Sequence, residues 1–126
     1  MDLVKVYNEY TKVNNLYMEY IEELAYADLG ECNDEKVLEK LKEYQRMFED
    51  MKIKSDVLEV DEENKNNLQD LKYFIMDVLF AALDLTTFYS YKEAERFKMR
   101  AANYVSKKRR EQVFGDSRDS TCRVSF

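Results

Sequence analysis

From Leu3 onward, apolar residues recur as Leu3, Val6, Tyr10, Val13, Tyr17, Tyr20 and Leu24, in alternating steps of three and four. That spacing is the a/d seam of a heptad and predicts an amphipathic helix over about 2–29. Gly30 stands where a helix C-terminus favours a residue tolerant of positive φ, and Asn33 or Asp34 can then cap a second helix with a side-chain oxygen. The second seam, Val37, Leu41, Tyr44, Phe48 and Met51, predicts a helix over 34–54 with Glu and Lys between the apolar positions. So short a connection makes the two helices antiparallel neighbours.

Ser55 to Val60 is apolar but short, and Asp61-Glu62-Glu63 put negative charge where the first turn of a third helix, over 61–89, favours it. The seam of that helix is Leu68, Leu71, Ile75, Val78, Ala82 and Leu85. Opposite the seam, where a helix of a monomeric bundle shows water a polar face, lie Tyr73 and Phe80, with Met76 and Leu83 beside them. Only the row Asp70, Asp77, Asp84 is consistently charged. The helix is thus apolar on two sides, and Tyr73, Met76, Phe80 and Leu83 are expected to lie against a second copy or a partner. Burying the four contributes on the order of 6 to 12 kcal/mol before the costs of association.

Thr86 to Tyr91 has weak helix propensity, and Ser90-Tyr91-Lys92-Glu93 has the S-x-x-E spacing of a capping box, so a kink or break is expected there. A fourth helix over 91–114 follows on a seam of Ala94, Phe97, Ala101 and Tyr104, closed by Gly115. A single straight helix over 61–114 would be roughly 80 Å long against a diameter of about 35 Å for a compact domain of this size, and would have to project or be shared between subunits. Residues 115–126 read as a tail in which Cys122, Val124 and Phe126 alternate as a short strand does.

Composition agrees with long helices. There is no proline, and the two glycines leave few sites for hairpin turns, which argues against a β-rich fold. The 126 residues make one domain, with the helices in 1–114. No apolar run reaches membrane-spanning length, and the opening MDLVKV is not a signal peptide, so a soluble, cytoplasmic protein is expected. Cys32 and Cys122, ninety residues apart, read as reduced thiols rather than a disulfide scaffold or zinc site, and Cys122 is too far from the end for prenylation.

The net charge of −6 conceals an asymmetry. Residues 1–91 carry ten Lys/Arg against twenty-one Asp/Glu, and residues 92–126 carry ten against five, giving −11 and +5. An acidic body argues against general nucleic-acid binding and leaves the basic end as the one segment suited to it. That end holds Lys92, Arg96, Lys98, Arg100, Lys107, Lys108, Arg109 and Arg110, interleaved with Phe97, Tyr104 and Val105. Folded back on the acidic body, it would complement the Asp row, leaving the run Lys107 to Arg110 as the part that reaches outward.

Catalytic signatures are missing. Without histidine there is no common general base, no usual Ser or Cys dyad and no Glu-x-x-His di-metal helix. Glycines eighty-five residues apart make no phosphate loop, and no segment fits a calcium loop. Asp70, Asp77 and Asp84 share one helix face and could hold a hard cation only if several copies gathered them; a solvated stripe is the simpler expectation. Ten tyrosines are the most specific feature, five of them in the first helix: Tyr7, Tyr10, Tyr17, Tyr20 and Tyr26. A buried phenol needs a partner for its hydroxyl, so some of Tyr7, Tyr26, Tyr73 and Phe80 are expected to face another chain or a ligand.

The stretch from Asp70 to Gln112, with its apolar helix, the charged KEAE of Lys92 to Glu95 and the closing KKRRE of Lys107 to Glu111, covers about a third of the chain. It resembles the small helical proteins of unknown role that phages and prophages of low-GC bacteria encode. The resemblance implies a mobile-element origin, a host-cell cytoplasm as the setting, and an inhibitor of a host enzyme or defence system.

The expected fold is all-α: a coiled-coil-like helical hairpin or three-to-four-helix bundle with a long third and fourth helix. The expected function is non-enzymatic, without cofactor or metal and away from membranes, in a protein that self-associates. The leading expectation is an inhibitor that occupies a basic, nucleic-acid-binding surface of a host protein. The alternatives are an oligomer sequestering an anionic small molecule such as a nucleotide, and a nucleic-acid accessory protein acting through the basic helix.

Overall fold

The computed structural model describes residues 2–27 and 34–117, with side chains as far as Glu111. Asp2 opens the first helix, α1 (Leu3–Tyr26), by accepting a hydrogen bond from the Lys5 amide at 2.9 Å. Asp34 does the same for α2 (Glu35–Asp56), accepting from the amides of Lys36 at 2.8 Å and Val37 at 3.4 Å. Each satisfies donors that a helix start leaves without an intrahelical acceptor. α1 ends with Ala27 in an extended conformation, three residues short of the expected end, and Gly30 and Cys32 lie outside the described residues.

A 3₁₀ turn, Glu62–Asn64, leads into α3 (Lys65–Ser90), and α4 spans Ala94–Ser117. The expected break is present, but its chemistry differs from a capping box. Ser90 is the last residue of α3, the Lys92 amide donates to the Tyr89 carbonyl at 3.1 Å, and the Glu93 amide donates to Phe88 at 2.8 Å. Those two bonds, with Lys92 at φ 61°, form a Schellman turn in which lysine holds the left-handed position usually given to glycine. At the other end, α4 continues through Gly115 to Ser117 instead of closing at Phe114. The tail with Cys122, Val124 and Phe126 lies outside the described residues.

The four helices pack as an all-α bundle, and the described residues include no strand. Glu9 against Lys54, Tyr17 against Phe48 and Tyr20 against Tyr44 set α1 and α2 antiparallel. Asp84 against Arg100 and Asp77 against Lys107 do the same for α3 and α4. The contact between α2 and α3 is the most extensive, α4 closes the ring against α1, α1 and α3 touch only slightly across one diagonal, and α2 and α4, on the other, make no close contact among the described residues. No described helix is long and apolar enough to cross a membrane.

The core carries the predicted seam of α3 complete: Leu68, Leu71, Ile75, Val78, Ala82 and Leu85 are all buried. In α1 the strict heptad is only half right. Val6, Tyr10 and Tyr17 are buried, but so are Asn14, Met18 and Ile21, whereas Val13, Tyr20 and Leu24 are only partly covered. A straight helix advances 3.6 residues per turn, so its buried face rotates away from a 3.5-residue seam as it passes from one neighbour to the next.

Candidate interaction surface

α3 is long enough to show all its sides, and its neighbours cover only part of them. Tyr73 is 54% exposed, Phe80 53% and Leu83 37%, all on the side away from the buried seam. Met76, between them, is half-buried against the core. Within one chain no helix covers this row. α4 lies beside the row rather than over it, on the side of the Asp residues. Exposed apolar side chains in one contiguous row, bounded by charge, are the composition of a contact surface.

The remaining candidates divide sharply. Tyr7 is not an outward group; it is half-buried and packs on the core with its ring 6.5 Å from Tyr10. Tyr26 is 83% exposed at the end of α1, beside a shallow groove of about 140 Å³ between α1 and α4 lined by Glu22, Ala25, Ala101, Val105 and Arg109. That volume accepts a side chain; ligand sites for nucleotide-sized molecules are several times larger.

The basic helix turns inward, and here the outward expectation for Lys107 to Arg110 is corrected. Lys107 reaches Asp77 at 3.1 Å and also donates to the Tyr73 hydroxyl at 3.3 Å. Lys108 is buried, its ammonium 2.9 Å from Asp77 and 3.3 Å from Glu111, over the rings of Phe74 and Tyr104 at 5.2 and 5.6 Å. Arg109 pairs with Glu22 at 2.6 Å and Arg100 with Asp84 at 2.8 Å. Arg96 holds its neighbour Glu93. Lys92, Lys98 and Arg110 are the members of the run with no ion pair among the described residues, and Arg110 alone of the last four reaches outward. A lysine buried in an apolar setting must be matched by charge, and Asp77, with Glu111 beside it, matches it.

That match reads directly in the carboxylate. Partial burial of Asp77 raises its pKa, but the charges of Lys108 and Lys107 and the hydrogen bonds from Lys107 outweigh it and hold the group below the usual aspartate value. Of the acidic row, Asp77 and Asp84 therefore serve as seats for α4, while Asp70 has no ion pair among the described residues. No group of three or more Cys, Asp or Glu among the described residues is placed to hold a metal ion.

Tyrosine hydroxyls are resolved by a polar core. Tyr104 donates to the Asn14 side-chain Oδ1 at 2.7 Å, and the Tyr10 ring stacks on Phe74 at 5.9 Å. Sequence reasoning missed Asn14, which lies one step past Tyr10 on the helix and carries the one polar side chain buried deep in α1. The Tyr17 hydroxyl is buried with no hydrogen-bond partner among the described residues. Burial raises the phenols of Tyr10, Tyr17 and Tyr104 far above their ordinary value, so all three stay neutral at physiological pH.

With α4 neutralised from within, the unbalanced charge is negative and sits toward the helix connections. Glu23, Asp34 and Glu35 are exposed near the first, and Glu59, Asp61 and Glu63 near the second, none of them in an ion pair among the described residues. Comparison of the chain with protein-family models, with curated proteins and with solved structures gives no match.

Proposed function

We propose that this is a non-enzymatic, stoichiometric protein binder whose contact face is the outer side of α3. The observation that carries the reading is the row Tyr73, Phe80 and Leu83, which stays exposed although three other helices pack in the same bundle. Tyr and Phe are large and rigid, with few rotamers to lose on contact, which suits them to anchor an interface. The negative charge left around the bundle favours a partner with basic groups beside its apolar patch. If the chain has the mobile-element origin its sequence resemblance implies, that partner is a host protein and the effect is inhibition by occupancy. The nucleic-acid alternative loses support, because four of its eight basic residues are committed to carboxylates on other helices or the Asp77 cluster.

The test is capture of partners from a host lysate by the immobilised protein and by two variants. Phe80→Ser should lose the captured protein, while Met99→Ser, which alters an equally exposed apolar residue on α4, should retain it. Retention should also weaken as salt is raised. Equal capture by both variants contradicts the proposal.

A further inference from the structure

The connection between α3 and α4 is short and strained. Only Tyr91, Lys92 and Glu93 separate the helices, and Lys92 sits at φ 61°, a conformation that costs a residue with a Cβ and costs glycine little. No glycine or proline enforces the turn, since residues 65–114 contain neither. The weakest helix formers, Thr86, Thr87, Phe88 and Tyr89, are already helical within α3. Straightening the turn would let Lys92 and Glu93 donate to Phe88 and Tyr89 in ordinary helical register, in place of the crossed bonds they now make.

We propose that this turn is a hinge through which two copies exchange α4, α3 and α4 becoming one continuous helix of roughly 80 Å in the exchanged dimer. The occupant of the α4 seat is then the same segment of a second copy. Its tethers survive the exchange intact, because Asp84–Arg100, Asp77–Lys107, Asp77–Lys108, Glu22–Arg109 and Asn14–Tyr104 all join α4 to another helix. Exchange relieves the strain at two hinges and is opposed by the entropy of association, so concentration selects between the forms; short hinge loops under strain favour such swapping. This dimer is independent of the outer face of α3.

The experiment uses the full chain refolded at high concentration, with size and mass read by chromatography coupled to light scattering. Lys92→Gly, which removes the strain, should lower the dimerisation constant by roughly tenfold or more. Replacing Tyr91, Lys92 and Glu93 together by Ala, which favours the straight form, should raise it and yield a slowly dissociating dimer that Phe80→Ser leaves intact. Asp84→Lys and Arg100→Asp, each of which sets like charges together in a closed chain, should form a mixed dimer when refolded together in preference to either alone. A triple-Ala protein of full helicity that stays monomeric overturns the proposal, and so does a dimer dissolved by Phe80→Ser. Should the triple-Ala chain lose its helicity, the absence of a mixed dimer from the charge-exchange pair overturns it equally.

Discussion

The two sides of α3 are built from the same kinds of residue and meet opposite fates. Leu71, Ile75, Val78 and Leu85 are fully buried between α2, α4 and α1, while Tyr73, Phe80 and Leu83, a few residues away around the same helix, stay in contact with solvent. The inner side therefore contributes to folding in proportion to the apolar area it removes from water. The outer side contributes less to the fold, where Tyr73 meets Lys107 of α4, and its exposed apolar area remains available for association. The comparison teaches that hydrophobicity alone does not mark a core residue; the number of faces the neighbours can reach does.

The largest effect expected from breaking this contrast is on the inner side. Ile75→Ala, at a site with no solvent contact, should lower unfolding free energy by about 3 kcal/mol in urea titration, with little change in the denaturant slope. Asp77→Asn comes next. It leaves the Lys107 ammonium without its carboxylate and the buried Lys108 with Glu111 alone, and should cost about 2 to 3 kcal/mol near neutral pH. Because the folded-state pKa of Asp77 is depressed, its stabilisation is present above the ordinary aspartate value of 3.8 and fades as pH falls below it. Denaturation midpoints of Asp77→Asn and the parent should thus converge at strongly acid pH; a gap that persists there would place the effect elsewhere.

A smaller pair sharpens the same contrast inside the core. Tyr104→Phe removes the donor that satisfies Asn14 and should destabilise by about 1 to 2 kcal/mol. Tyr17→Phe removes a buried hydroxyl that has no partner among the described residues and should be neutral or stabilising by up to about 1 kcal/mol. Thermal melts of the two proteins side by side would show the difference in sign.

Much of this was legible in the residues. The seam of α3 and the uncovered row opposite it follow from one periodic pattern, and the body-to-end charge asymmetry anticipates a basic helix folded on acidic partners. Asn14, Met18 and Ile21 were missed because a rigid heptad was imposed on a helix whose buried face turns. The break after Ser90 was visible as weak propensity, but its form was not, since lysine carries no signal for a left-handed backbone. Lys108 was read as an outward charge because its matching carboxylate, Asp77, is thirty-one residues away and only the tertiary fold brings the two together.

The most direct test of the account is the variant Phe80→Ser, with stability and partner binding measured on the same preparation. A face that stands outside the fold predicts a change in unfolding free energy within about 0.5 kcal/mol together with loss of binding by at least roughly a hundredfold. A variant that folds with markedly lower stability yet binds as the parent does would contradict it, showing that the outer row supports the bundle and that the contact lies elsewhere.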